Sequence, residues 1–357
     1  MPQIRHRTLG NRSADGTLPL NERKCPTRDL HGTGSVIRGM SKMSLISRIA
    51  VAGVLSLLGG CIISESIPSW PGDPRGSLAF PSRDQLVVPA QINGHPMRLR
   101  VEAGHRGIIL NPAAAARAGL AKSIFRSGVQ IGPIFTQGET GVAPVVIDGR
   151  ADGDRRITWY ERDIAPGVDG VISIAHLPYE SVTLNLRPAA QDEVPIVLET
   201  SPEGTADAAY IHKVGGKEIE VRFLLDTPRS MLSAAAGALL AEHHGGAWSG
   251  EAFDQPIALG VSRPVRPMRF SRPIVLGGLP VDQMLVRTSD YRGKYVLPSS
   301  TIDASEDASQ IVVTGKRAKS RAALNAIIGN DYLSRCSSIT YSRNKRLLTM
   351  RCKPGPA

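Results

Sequence analysis

The chain has 357 residues, of which 21% are charged and only 4% aromatic, with 36 Gly and 26 Pro. That length buries a sizeable core in one large or two medium domains, and the abundance of turn formers favours a β protein over a helix bundle. A formal net charge of +11 invites a nucleic-acid partner, but residues 1–60 alone hold nine Lys/Arg against three Asp/Glu, which leaves about +5 for the rest. The remaining arginines are scattered without interleaved aromatics, so a solvated basic surface is expected and nucleic acid is not.

Residues 1–39 show no periodicity and read as an over-extended start or a tail. From Met40 or Met43 the chain carries Lys42 and Arg48, then the apolar run Ile49 to Leu58, then Gly59-Gly60-Cys61. A basic segment, a short apolar segment and small residues before a cleavage point form a secretory signal too short for a permanent membrane span. Leu58-Gly59-Gly60-Cys61 resembles the lipobox of bacterial lipoproteins. The resemblance implies cleavage before Cys61, lipid attachment to its thiol, and a chain held to the membrane through that lipid on the periplasmic side of the bacterial envelope. Residues 1–60 are thus read as leader and signal, and 61–83 as an extended linker punctuated by Pro68, Pro71, Pro74 and Pro81.

Beyond Leu86 the chain makes two similar passes. The first has a strand from Leu86 to Ala90, an Asn93-Gly94 turn, a strand from Met97 to Val101, and an acid at Glu102. Ile108-Ile109-Leu110 and an alanine-rich helix follow, with Asn111 in the capping position and Pro112 in the first turn. The second pass has Tyr210 to Val214, a Gly215-Gly216 turn, a strand from Ile219 to Leu225, an acid at Asp226, then Met231-Leu232 and a Ser233-capped alanine-rich helix to about Ala241. Late in each pass, Asp169-Gly170-Val171-Ile172-Ser173 corresponds to Asn325-Ala326-Ile327-Ile328-Gly329. The two passes define lobes at 84–190 and 205–357.

The second pass is longer, and the surplus falls around 299–323, read as an exposed acidic loop followed by Gln310-Ile311-Val312-Val313-Thr314-Gly315. The segment Ile311, Val312, Val313, Thr314 and Gly315 resembles the TonB box of TonB-dependent receptors, which implies TonB as a partner through edge pairing; an ordinary edge strand is the alternative. Cys336 and Cys352 flank a hairpin pattern around Arg343-Asn344-Lys345, which sets the thiols opposite each other and leads to an expected disulfide, free thiols being the alternative. His243 and His244 are adjacent and point to different sides of any regular element, and no zinc-like spacing occurs, so neither a metal nor another cofactor is expected.

Strand, turn, strand, acid, hydrophobic pair, short helix, then apolar-apolar-Gly and a final strand resemble the retropepsin-like aspartic proteases, with two such units fused as in pepsin-type enzymes. The resemblance covers roughly residues 84–352 and implies an all-β, two-lobed acid-protease-like fold, a peptide or protein substrate, and two carboxylates that share one proton while activating a water. It assigns the catalytic positions to Asp226 and Glu102, and the loop positions to Thr227, Pro228, Ala103 and Gly104. Several departures accompany it. Glu102 is longer than the expected Asp, Ala103 lacks the bracing hydroxyl, Pro228 has no N–H where glycine would offer one, and Ser173 stands where glycine is usual. The expectation is an aspartic-peptidase-family protein, either an endopeptidase or an inactive peptide-binding module of the same fold.

Overall fold

The computed structural model describes residues 74–132, 134–201, 206–288 and 323–354. The leader, Cys61, residues 299–322 of the expected insertion and, within them, the segment Ile311 to Gly315 lie outside the described residues. The first lobe contains β1 (Ser77–Phe80), β2 (Val87–Ile92), β3 (His95–Glu102), β4 (Ile108–Leu110), α1 (Pro112–Arg117), β5 (Arg126–Ile131), β6 (Ile134–Ile147), β7 (Arg150–Trp159), β8 (Gly170–Ser173) and β9 (Ser181–Asn185). A connecting strand β10 (Val194–Glu199) leads to β11 (Tyr210–Val214), β12 (Lys217–Phe223), β13 (Met231–Leu232), α2 (Ala234–His244), β14 (Gly246–Trp248), β15 (Phe253–Ala258), β16 (Val261–Leu276), β17 (Leu279–Arg287), β18 (Asn325–Ile328), α3 (Asn330–Leu333), β19 (Cys336–Ser342) and β20 (Leu347–Cys352).

Alternation builds the first lobe. Met97, Leu99 and Val101 of β3 are buried while Arg98 is exposed, the period-2 pattern of a strand with one face on a core. The β2–β3 hairpin turns on Asn93 and Gly94, whose φ values of 52° and 79° lie in the left-handed region that two-residue hairpins require. β3 then runs parallel to β8, and β4 lies antiparallel to β8 and parallel to β7. The order is β2-β3-β8-β4-β7-β6-β5, and β2 also pairs with β6, which closes the sheet on itself.

The second lobe repeats that pairing. β12 runs parallel to β18, and β13 lies antiparallel to β18 and parallel to β17, in the order β11-β12-β18-β13-β17-β16-β14 with β15 on β16. Gly215 and Gly216, at φ 54° and 68°, make the β11–β12 turn. Both lobes are all-β with a short helix after the hydrophobic pair. α2 starts at Ser233, whose hydroxyl accepts from the Ala236 N–H (3.3 Å), and it runs to His244 rather than Ala241 before Gly245 turns left-handed. At α1, Pro112 does occupy the first turn, but the Asn111 side chain makes no helix cap. It accepts from the Ile164 and Ala165 N–H groups and donates to the Ala165 and Val168 carbonyls, so its hydrogen-bonding groups serve the 164–168 loop instead of the helix end.

A third sheet, β1-β9-β19-β20-β10, joins the lobes. One of its strands falls within the expected linker, where Ser77–Phe80 pairs in parallel with Ser181–Leu184; Val194–Glu199, between the two expected lobes, pairs with β20. Proline spacing suggested an extended chain in the linker, and extended chain is also what a sheet recruits when a partner edge lies beside it. One continuous hydrophobic cluster runs from Phe80 and Leu99 through Phe223 and Leu232 to Leu348 and Met350.

At the foot of the third sheet Cys336 and Cys352, paired across β19 and β20, are joined by a disulfide that closes a sequence separation of 16. A loop of that size constrains the unfolded chain by about 3 kcal/mol. Replacing both cysteines with Ala should therefore lower the urea midpoint by the equivalent of about 2–4 kcal/mol at unchanged slope; an unshifted midpoint would show that the bond does not limit global unfolding.

Candidate functional site

The two acid-bearing loops leave corresponding places in their lobes. In the first, Val101 faces Ile172 across the parallel ladder and Ile109 faces Val171 across the antiparallel one. In the second, Phe223 faces Ile328 and Met231 faces Ile327. The intervening residues 102–108 and 224–230 are equal in number, so these ladder anchors match the loops position by position. Glu102 thereby corresponds to Leu224, whose N–H donates to the Ile328 carbonyl (3.0 Å), and Arg100 corresponds to Arg222. Asp226 stands two residues further along, opposite Gly104 in the other lobe.

This corrects the expected strand Ile219 to Leu225. The run Phe223-Leu224-Leu225 is buried throughout, and an uninterrupted apolar run does not say where pairing stops. The ladder ends at Phe223 because its partner chain turns at Gly329 into α3. Asp226 therefore lies in a turn beyond the strand, exposed, whereas Glu102 is the last residue of β3 and is buried (1% exposed).

Across the lobe junction the two carboxylates share one guanidinium. Arg100 Nε donates to Glu102 Oε1 at 2.7 Å, and Arg100 Nη2 donates to Asp226 Oδ2 at 2.7 Å. Arg100 and Glu102 are two apart on one strand, so both side chains project from the same face. Burial, with help from the charge on Asp226, raises the Glu102 carboxyl from 4.5 to about 7 against the opposing pull of Arg100 and Arg83. Its second oxygen, Oε2, is buried without a hydrogen-bond partner, which is the usual situation for a carboxyl that keeps its proton. His105 is pushed down to about 4 by burial and by Arg222 and Arg100, against the pull of Asp226, so the imidazole is neutral at ordinary pH.

Each loop is held by groups that the sequence did not single out. Arg83, in the turn between β1 and β2, crosses to the second lobe and donates to the Leu225 carbonyl and to Asn330 Oδ1. The Asn330 N–H donates to the Thr227 carbonyl (2.7 Å), the Asp331 N–H to the Pro228 carbonyl (3.2 Å), and the Gly329 N–H to Ser230 Oγ (2.8 Å), while Ser230 donates to Asp331. The loop after β3 is held by Asp207 from the connection into β11. Its carboxylate accepts from the Gly107 N–H (2.9 Å) and faces His176 Nε2 at 3.0 Å. Burial alone would raise the Asp207 carboxyl; His176, the Gly107 N–H and the Ser173 hydroxyl outweigh it and hold the group below its ordinary value. Of the expected site residues, Glu102, Ala103, Gly104 and Asp226 to Pro228 all lie at this junction. Ala103 and Gly104 are buried, and Pro228 is exposed. Gly104 packs against the other loop, with room for no larger residue: a Cβ there would meet Leu224 Cδ2 at 2.5 Å and the Phe223 carbonyl oxygen at 2.8 Å.

The hairpin β15–β16 spans the junction at a second level. Its tip carbonyl, Gly260, accepts from Arg162 Nη1 of the first lobe (3.2 Å), and Phe253 near its base lies under the Arg229 guanidinium at 6.0 Å.

Neither a protein-family model nor a curated protein matches the chain. Among solved structures, it is similar to EIAV protease in complex with the inhibitor HBY-793, with a TM-score of 0.19 and 13% identity over 24% of this chain and 79% of that one.

Two outcomes follow from this geometry. Because the folded chain holds the Glu102 proton up to about pH 7 and the unfolded chain releases it near 4.5, the stability from this group is complete below pH 4.5 and is lost as pH rises through 7. Relative to Glu102→Gln, the wild type should lose roughly 2–3 kcal/mol between pH 4.5 and 7.5, measured as urea midpoints; a difference that does not change with pH would mean an ordinary carboxyl. Gly104→Ala should cost about 1–3 kcal/mol by forcing the two loops apart, and a melting temperature equal to that of the wild type would show that Leu224 simply moves aside.

Proposed function

We propose that this protein is a non-catalytic peptide-binding module built on an acid-protease-like β fold. The observation that carries the reading is the Arg100 bridge between Glu102 and Asp226. Hydrolysis by an acid pair needs two adjacent carboxyl groups that share a proton and hold a water between them. Here a permanent cation takes up an oxygen of each, and the place that corresponds to Glu102 in the second lobe holds Leu224. Pro228 brings no N–H to the loop, and Ala103 brings no hydroxyl.

A recognition role needs backbone edges and apolar contacts rather than an acid pair. β5 is an end strand of its sheet, and Ile124, Phe125 and Phe135 beside it are exposed. An extended segment that adds to such an edge gains main-chain hydrogen bonds along its length and places alternate side chains against these residues. The lipobox-like run ending at Cys61 supports tethering of the module to the bacterial envelope.

One feature favours the peptidase alternative. Glu102 is raised to about 7 beside the exposed Asp226, and a carboxyl raised toward neutrality can serve as a general acid.

A single assay separates the two readings. Full-length protein incubated with unstructured peptides between pH 3 and 8 should release no fragments detectable by mass spectrometry, while fluorescence anisotropy reports saturable binding of the same peptides. Cleavage that disappears in Asp226→Asn would establish the peptidase instead.

A further inference from the structure

The same loop correspondence exposes an asymmetry between the lobes. Each places an arginine two residues before the corresponding position: Arg100 before Glu102, and Arg222 before Leu224. In the first lobe the guanidinium donates to two carboxyl groups at 2.7 Å. In the second, leucine has replaced the acid that would face it. Among the described residues, Arg222 faces Glu220 on its own strand at 4.0 Å, and its Nε is buried without a hydrogen-bond partner. The side chain still reaches solvent, with 27% of it exposed. Burial lowers the affinity of Arg222 for its proton, and Glu220 offsets this only in part. A guanidinium whose buried Nε–H is unmet is costly to leave so, and a carboxylate is the group whose two oxygens match its fork.

We propose that Arg222 is the anchor for a carboxylate of the bound peptide, so that the module selects acidic ligands. This deepens the peptide-binding reading and rests on it. The twin position supplies the precedent within the molecule, since Arg100 already holds carboxylates from two different loops in this way. Arg83, Arg100, Arg222 and the exposed Arg229 border the two loops, as do the carboxylates of Asp226, Asp207 and Asp331 and the Glu102 carboxyl, so charges of both signs meet there and selection for an acidic ligand falls to Arg222 itself. The carboxylate comes from an acidic side chain or from a peptide C-terminus, since both present the same two oxygens.

The test uses the full chain and a fluorescein-labelled Thr-Val-Glu-Val-Glu-Val-Thr amide, its glutamine analogue as the amide, and that analogue with a free C-terminal carboxylate. The glutamate amide, the free acid, or both should bind at least about tenfold tighter than the glutamine amide. Preference for the glutamate amide identifies a side-chain carboxylate, and preference confined to the free acid identifies a terminal one. Arg222→Gln should abolish the preference while still binding the glutamine amide, and Arg222→Lys should keep part of it, which distinguishes loss of the anchor from loss of the fold. Equal binding of all three peptides by the wild type, or a preference that survives in Arg222→Gln, would overturn the inference and leave the peptide-binding reading standing. Failure of the wild type to bind any of them would overturn both.

Discussion

Arg100 holds carboxylates of two lobes at once, 2.7 Å from each, and the character of the junction depends on that contact. Two acids brought together in a poorly hydrated place cannot both ionise unless a cation or a proton separates them. In an acid protease the separating species is a proton that leaves and returns during turnover. Here the guanidinium of Arg100, fixed to the backbone of β3, lies between them, and below about pH 7 Glu102 also keeps its proton. On the peptide-binding reading proposed above, the junction serves as a charged seam.

The fold makes that seam possible through its duplication. Both lobes end their second strand against a parallel neighbour, turn, and return against the same neighbour from the other side. A connection of this type brings two strand ends together without a long excursion, and two copies of it present two loops to one another. The third sheet, with β1 and β9 on one side and β19, β20 and β10 on the other, ties the two copies into one hydrophobic core. Arg83 and Asp207 add polar ties at the loops themselves, one crossing from the first lobe into the second and the other reaching from the connection back to the first.

The sequence repeat was legible because it is local. The turns at Asn93-Gly94 and Gly215-Gly216, the hydrophobic pairs, the alanine-rich helices and the late apolar motifs each announce themselves within about ten residues, and their order alone points to the all-β, two-lobed arrangement. The end of β12 was not legible, because Phe223, Leu224 and Leu225 are equally apolar and only the ladder with β18 fixes where pairing stops. The recruitment of Ser77–Phe80 into a sheet was hidden for a similar reason, since extended backbone looks the same paired or free. Arg100 carried a usable signal, its spacing of two from Glu102 on one strand face, but nothing nearby in sequence relates it to Asp226.

By itself, the sequence determined the duplication, the β architecture and the presence of one acid in each half, since these follow from periodicity and turn chemistry over short spans. Only the tertiary structure decided what those acids do to one another. It set Leu224, not Asp226, in register with Glu102, and it put Arg100 between side chains 124 positions apart in the chain, from 102 to 226. Electrostatic coupling depends on distance in space and on burial, and neither quantity exists until the lobes have closed on each other.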